Sequence, residues 1–248
     1  MKATNLEFRF RMPIIFALYV LGFWAPWERY SSHTSAITST WLELIGAIAS
    51  AHWLSLSNAT MFVTSMAIAL AFAGAVIRIW GTAYLGASTM QAPSLQGQQV
   101  LAAGPYRHVR NPLYLGSYLT ALTVAILMPP QGALFFVVTL GFFILRLVLA
   151  EESFLRDKLN GPYLDYVKRV PRILPSPWPR VPSSATRPHW FDGLLAETFP
   201  LAFAICFAVL AWRYNSHLLT QSVIICFGGS LIVRAMLPGR HSDGVLSK

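Results

Sequence analysis

The chain has 248 residues, of which 55% are hydrophobic and only 12% are charged, and its mean hydropathy is +0.51. A chain of this composition cannot bury its apolar surface in a water-soluble domain, so the composition predicts a polytopic membrane protein. The formal charge of +9 does not indicate nucleic-acid binding, because the basic residues flank apolar segments and form no stripe interleaved with exposed aromatic residues. Anionic lipid headgroups are their expected partners.

Seven apolar stretches follow one another along the sequence, and a helix needs about 20 residues to cross a bilayer. They are residues 13–27, 41–56, 61–80, 113–128, 134–150, 194–212 and 218–236. The first is short and ends among Trp24, Trp27 and Tyr30, as expected at a membrane interface. The second contains Glu43 and His52, so it either spans the membrane or lies on its surface.

The sequence Pro129-Pro130-Gln131-Gly132 separates the fourth and fifth stretches and predicts a tight turn between two antiparallel helices. This hairpin tip carries no charge, whereas the sequence on both sides of the hairpin is basic. The positive-inside rule therefore predicts that the tip faces away from the cytosol, while Ser94 and Ser176 are cytosolic.

The basic amino terminus also favours the cytosol, but three crossings before Gly81 would place it on the opposite face from the later basic regions. Two alternatives remain open at this point. Either residues 41–56 do not span the membrane, or the amino terminus lies outside against its charge.

Cysteine, histidine and glycine patterns exclude several classes of site. Cys206 and Cys226 lie in separate apolar stretches and are interpreted as small packing residues without a disulfide. The six histidines show no spacing typical of metal ligands, so no metal site is predicted. The sequence has neither a Gly-x-Gly loop nor a Gly-Lys-Ser/Thr motif, and a nucleotide-like cofactor would therefore need another architecture.

Two polar signatures flank the hairpin. The first is GPYRHVRNPLYLG, from position 104 to 116, and the second begins at Glu151-Glu152 and continues to Tyr163, Tyr166 and the sequence Arg169-Val170-Pro171-Arg172. Charged and phenolic side chains are costly beside membrane helices, so the signatures predict a site for a charged ligand at the edge of the bilayer.

The two signatures, in this order and with an apolar hairpin between them, resemble the isoprenylcysteine carboxyl methyltransferases and phospholipid methyltransferases of membranes, over roughly residues 78–175. The resemblance implies an all-α fold, a polytopic transmembrane helical bundle with a cytosolic cofactor site after a helical hairpin. It also implies S-adenosyl-L-methionine as the cofactor and a lipophilic acceptor that enters laterally from the bilayer.

The resemblance carries roles onto individual positions. It implies catalytic roles for Arg110, Asn111 and Glu152. It implies cofactor binding by Gly104, Tyr106, Arg110, Asn111, Pro112, Tyr114, Gly116, Glu151, Glu152, Tyr163, Tyr166 and Arg169. The family commonly has histidine where this chain has Asn111, and asparagine forms hydrogen bonds but cannot take up a proton. An acid/base role at this position is therefore in doubt.

The chemistry of the residue types agrees with these assignments. An arginine fork suits the carboxylate of S-adenosylmethionine, acidic side chains suit its ammonium and hydroxyl groups, and aromatic rings suit its adenine and sulfonium. Several of the residues also have a structural alternative. Arg107 and His108 are equally consistent with a role at the site and with a role as positive-inside membrane anchors. Tyr114 also fits a packing residue, and the double glutamate also fits a solvated helical turn. Arg146 is expected to extend to the interface or to pair with Glu43 or a site glutamate.

The predicted organisation is 1–77 for amino-terminal transmembrane segments, 78–175 for a methyltransferase-like core, 176–193 for a proline-rich connector and 194–248 for a carboxy-terminal helix pair. The predicted function is an S-adenosylmethionine-dependent methyltransferase of the plasma membrane or an equivalent membrane, with its active site on the cytoplasmic face. Its acceptor is either an isoprenylcysteine carboxylate-like group or a phospholipid amine. The alternatives are an NADPH-dependent sterol-type reductase and a non-catalytic scaffold; no protein partner is evident.

Overall fold

The computed structural model describes residues 2–25, 38–86 and 100–236, and within these ranges every regular element is helical. The helices are α1 Asn5–Arg9, α2 Arg11–Trp24, α3 Thr40–Ser50, α4 Leu56–Leu85, α5 Pro112–Ala125, α6 Pro130–Arg169, α7 Trp190–Ala196, α8 Thr198–Leu210 and α9 Ser216–Met236, with 3₁₀ turns at Gly104–Arg107 and Ala211–Arg213. The predicted all-α bundle is confirmed.

Helices α4 and α5 lie antiparallel and very close together. The Thr123 hydroxyl donates to the carbonyl of Ala67, and a methyl group added at Gly74 would lie only 2.6 Å from the Thr120 hydroxyl oxygen. Small residues at such positions let two helix backbones approach in a membrane, where van der Waals packing drives association. We call the end of the bundle at the turn 126–129 the tip end, and the end where α5 begins the site end.

The amino-terminal helices resolve the alternatives left open by the sequence. The Ala3 amide donates to the Arg146 carbonyl near the site end, while the carbonyl of Gly22 approaches Gly132 at the tip end, so α2 runs from the site end to the tip. Helix α3 starts at the tip, where the Thr40 amide donates to the Met128 carbonyl over 2.8 Å. Because α4 runs from the tip back to the site end, α3 does not cross the bundle.

Helix α3 is also too short to span a bilayer. Its 11 residues rise about 16 Å, roughly half of a hydrocarbon core of about 30 Å. The stretch 41–56 is therefore a helix at the tip end followed by a turn at His52, which has a positive φ of 56°. The amino terminus and both polar signatures consequently lie at the same end of the molecule.

Among the described residues, Leu56–Leu85 and Pro130–Arg169 are long and apolar enough to cross a membrane. A third span exists if the helices Trp190–Ala196 and Thr198–Arg213, bent by 71°, count as one. The sequence predicted one apolar segment over 194–212, and the structure corrects this, because the segment bends at the buried Glu197. Trp27, Tyr30 and Ser94, which entered the sequence predictions, lie outside the described residues.

Helix α6 continues beyond the apolar stretch 134–150 by more than four turns. Glu151 and Glu152 therefore lie within a helix and not after its end. The regular helix is interrupted only at Asn160, with φ 44° and ψ −122°, and Pro162 begins the helical segment that follows the break. This break directs residues 161–169 onto the loop that precedes α5.

The main core lies between α4, α5, α6 and α8. Its largest fully buried side chains include Phe136, Phe203, Phe207 and Met128. The tight turn predicted between α5 and α6 is present, and it lies at residues 126–129, slightly earlier than the sequence indicated.

Candidate functional site

The loop before α5 lies antiparallel to the segment 171–184, which we call the strap. The Arg110 amide donates to the Pro171 carbonyl, the Ser176 amide to the His108 carbonyl and the Ser184 amide to the Ala102 carbonyl, over 2.8–2.9 Å. Gly104 lies within this loop, and its φ of 53° and its contact with the Tyr84 ring leave no room for a side chain. The first and second polar signatures are thus joined by backbone hydrogen bonds.

Arg107 and His108 bind the strap. Arg107 Nε donates to the Val181 carbonyl over 2.9 Å, and His108 Nδ1 lies 2.9 Å from the Ser176 carbonyl oxygen. The His108 ring also packs 5.9 Å from the Trp80 ring. Both side chains therefore hold the strap against the loop, a role that neither sequence alternative included.

Glu152 is the centre of a buried ionic cluster. Its carboxylate is only 5% exposed and accepts from Asn111 Nδ2 at 3.0 Å, from Arg110 Nη1 at 3.3 Å and from Arg172 Nε at 3.0 Å. Asn111 Nδ2 also donates to the Arg172 carbonyl over 3.1 Å. We call these four residues the Glu152 cluster; it brings together the three residues predicted as catalytic.

The local backbone explains why Asn111 belongs to the cluster. Asn111 precedes Pro112, the first residue of α5, and proline excludes the α conformation from the residue before it. Its dihedral angles are φ −123° and ψ 58°, outside the α region and less extended than is usual before proline. Its amide binds Glu152 and the strap and does not cap the helix.

The Glu152 cluster contains two guanidinium groups and one carboxylate, so its formal charge is positive. Arg110 Nε is buried and has no hydrogen-bond partner within the described structure. A buried donor without a partner is costly, by about 1–3 kcal/mol, unless something else accepts from it. The cluster therefore has both the charge and a spare donor for an anionic ligand.

Tyr106 supplies a second buried polar atom without a partner among the described residues. Its side chain is buried, its carbonyl accepts from the Tyr166 hydroxyl over 2.7 Å, and its own hydroxyl has no partner. Burial, reinforced by the negative charge of Glu151, raises the pKa of Tyr106 well above its usual range. The hydroxyl consequently stays protonated and can donate a hydrogen bond to a ligand.

Glu151 hydrogen-bonds to the Tyr114 hydroxyl, with the positive charge of Arg11 nearby. Tyr163 and Tyr166 lie close enough to Glu152 and Arg110 to interact with their charges. The two rings are 5.9 Å apart and form a small core with Val170. Glu151, Tyr114, Tyr163 and Tyr166 thus surround the Glu152 cluster.

Two of the residues predicted to bind cofactor lie elsewhere in the structure. Gly116 is packed against α4, where a methyl group would lie 2.6 Å from Arg78 Cγ, and this close approach accounts for the glycine. Arg169 is exposed, and Arg172 pairs with Glu152 instead. Their assignment to a cofactor remains a prediction.

Sequence analysis missed a second buried carboxylate, that of Glu197. It accepts from Arg78 Nε at 2.6 Å, Arg78 Nη2 at 2.9 Å and the Thr82 hydroxyl at 2.6 Å. A lone acidic residue in one apolar stretch and a lone arginine in another were the available signal, because charges at membrane depth usually pair. Arg146 likewise pairs with Glu7, over 2.7 Å, and not with Glu43 or a site glutamate.

In the part of the chain that the structure describes, no three histidine, cysteine, aspartate or glutamate side chains are grouped as metal ligands. Cys206 and Cys226 are free thiols whose sulfur atoms lie 3.5 Å apart between α8 and α9.

Comparison with known protein families gives a match. Residues 62–160 match the family model described as phospholipid methyltransferase, which covers most of α4, the loop, the hairpin and the first part of the second polar signature. No curated protein matches the chain. No solved structure matches it either. The family match supports a membrane methyltransferase in general, and it confirms the resemblance of this chain to the integral-membrane methyltransferases of the phospholipid methyltransferase family.

Proposed function

We propose that this protein transfers a methyl group from S-adenosylmethionine to a lipophilic acceptor held in the membrane. The observation that carries the proposal is the Glu152 cluster, which is buried, positively charged and provided with a spare donor at Arg110 Nε. Three of its four residues, Arg110, Asn111 and Glu152, lie within the segment that matches the methyltransferase family, and Arg172 lies after that segment.

The residues of the site fit the chemical groups of the cofactor. Arg110 would hold its carboxylate, since a guanidinium matches a carboxylate with two parallel hydrogen bonds. Glu151 would hold its ammonium, and the neutral Tyr106 hydroxyl would donate to a ribose or carboxylate oxygen. Tyr163 and Tyr166 offer aromatic faces for the adenine.

When bound, the cofactor supplies a methyl group activated by a sulfonium. The work of the protein is then to orient the acceptor and to exclude water, and positioning of this kind can contribute about 7–11 kcal/mol. No residue of the chain has to act as a nucleophile. A carboxylate acceptor needs no base, so Asn111 can replace histidine by binding Glu152 without taking up a proton. Both acceptor classes, an isoprenylcysteine-like carboxylate and a phospholipid amine, stay within the proposal.

Calorimetry on the purified protein in detergent tests the cofactor. We expect S-adenosylhomocysteine to bind and NADPH not to bind. Binding of NADPH alone would favour the sterol-type reductase, and binding of neither ligand to correctly folded protein would favour the scaffold. Methyl transfer from labelled cofactor to a prenylcysteine analogue or to phosphatidylethanolamine then distinguishes the two acceptor classes.

We further propose that the site end faces the cytosol. The basic amino terminus and the basic residues around both signatures lie at this end, and positive charge favours the cytoplasmic side. Single cysteines at Ser183 and Gln131, both exposed, test this after Cys206 and Cys226 are replaced. An impermeant thiol reagent added to intact cells should label position 131 and not position 183. The reverse pattern would overturn the orientation.

A further inference from the structure

Glu197 lies at the bend between α7 and α8, outside the segment that matches the methyltransferase family. Its carboxylate is fully buried, and three donors from α4 bind it: two nitrogens of Arg78 and the hydroxyl of Thr82. A buried carboxylate removed from all water needs this degree of compensation. Residues of α4 therefore both neutralise the charge of Glu197 and satisfy its carboxylate with hydrogen bonds.

Arg78 continues the connection to α5. Its Nη1 donates to the Ser117 hydroxyl and to the Leu113 carbonyl, which lies at 3.4 Å. Pro112 starts α5 and Leu113 is its second residue, whereas Arg110 and Asn111 directly precede the helix. A single guanidinium thus ties the bend at Glu197 to the first turns of α5, the helix that directly follows Arg110 and Asn111 of the Glu152 cluster.

The packing of α7 on α4 keeps this connection short. The His189 amide donates to the Ala83 carbonyl over 2.8 Å, and Gly193 lies so close to α4 that a methyl group would be 3.0 Å from the Ile79 carbonyl oxygen. The carboxy-terminal helices are therefore seated on α4 at the level of the site.

We propose that Glu197 is a positioning residue, which acts through Arg78 to fix the start of α5 so that Arg110 and Asn111 meet Glu152. The carboxy-terminal helix pair is then part of the site. This inference rests on the proposed function only where cofactor affinity is the measurement.

The test compares Glu197→Gln with Phe207→Ala in the full-length protein. Gln keeps the shape of the side chain and loses its charge, whereas Phe207 is fully buried in the same carboxy-terminal helices but lies two to three turns along α8 from Glu197. We expect both variants to destabilise the carboxy-terminal helices, because both side chains are fully buried. Hydrogen exchange of the amides of residues 115–119 should rise about 3- to 30-fold in Glu197→Gln and stay at the parental rate in Phe207→Ala. Equal exchange in the two variants would overturn the inference.

Affinity for S-adenosylhomocysteine gives the second measurement. We expect Glu197→Gln to weaken it about 3- to 30-fold, with Phe207→Ala within twofold of the parent. If Glu197→Gln does not fold, Thr82→Val and Ser117→Ala each remove one hydrogen bond of the same chain and should show the same changes to a smaller extent. If the parent itself does not bind, the proposed function fails, while the exchange result still decides whether Glu197 positions α5.

Discussion

Among the residues that the structure describes, two buried carboxylates are held by arginine, and they differ in the charge and the hydrogen-bond donors that remain available around them. Glu197 pairs with one arginine through two hydrogen bonds, and its charge is neutralised. Glu152 lies between Arg110 and Arg172, so positive charge remains and a donor of Arg110 has no partner among the described residues. The first arrangement suits a structural connection, and the second suits a ligand.

The comparison shows that burial and ion pairing do not by themselves mark a binding site. Structural ion pairs occur at membrane depth as well, because an isolated charge there is costly. What distinguishes the Glu152 cluster from the Glu197 pair is its excess charge and its spare donor, together with the Tyr106 hydroxyl, which has no partner among the described residues. Each of the following predictions tests whether this difference holds.

The largest effect on stability is expected from Glu197→Ala. It leaves the guanidinium of Arg78 buried without its counter-ion, and loss of one partner of a buried pair costs about 3–5 kcal/mol. Thermal unfolding in detergent should show a large fall in the midpoint. The double variant Arg78→Met with Glu197→Leu should recover much of it, since both charges are then absent. A single variant as stable as the parent would contradict the neutral-pair interpretation.

Arg110→Ala is expected to have the largest effect on cofactor affinity. A charge-assisted hydrogen bond contributes roughly 1.5–3 kcal/mol, so affinity for S-adenosylhomocysteine should fall by about one to two orders of magnitude. Arg110→Lys keeps the charge but loses the planar fork, and should lie between the parent and Arg110→Ala. Calorimetry provides the measurement.

Arg107→Ala is the matched control for Arg110→Ala. Arg107 is three residues away in the same loop and donates to the strap at Val181. Its loss should weaken affinity much less. Equal losses for the two variants would show that Arg110, like Arg107, only holds the loop in place.

The glutamates of the second signature should have intermediate effects. Glu152→Gln weakens the attraction that orients Arg110 and Arg172, and Glu151→Gln removes the negative charge expected to bind the ammonium. Each should weaken affinity for S-adenosylhomocysteine by more than twofold. The assignment fails if both variants stay within twofold of the parent.

The sequence predicted the helical bundle and the hairpin, because apolar stretches and turn residues are local signals, and the family resemblance singled out Arg110, Asn111 and Glu152 as site residues. It could not predict which arginine reaches which glutamate. Arg172 and not Arg169 binds Glu152, since the break at Asn160 and the strap determine which side chain turns inward. Likewise the pair Arg78–Glu197 joins residues far apart in the chain, and only the packing of α7 on α4 brings them together.

The smallest effect is expected at Glu7, which pairs with arginine as Glu152 and Glu197 do but is more exposed than either. Its carboxylate binds Arg146 and caps α1. A hydrogen bond from the Thr4 amide, and then the bond from Arg146, hold the pKa of Glu7 below its ordinary value of 4.5. A lowered pKa in the folded state stabilises the protein above about pH 4.5, and this contribution is lost as the pH falls through the folded pKa. The parent should therefore unfold at a slightly higher temperature than Glu7→Gln at about pH 6, and the difference should decrease as the pH is lowered toward about 3. Asp165→Asn, which removes a more exposed ion pair with Lys168, serves as the control and should show less difference from the parent at about pH 6. A difference between the parent and Glu7→Gln that persists unchanged to pH 3 would show that Glu7 acts through packing and not through its charge.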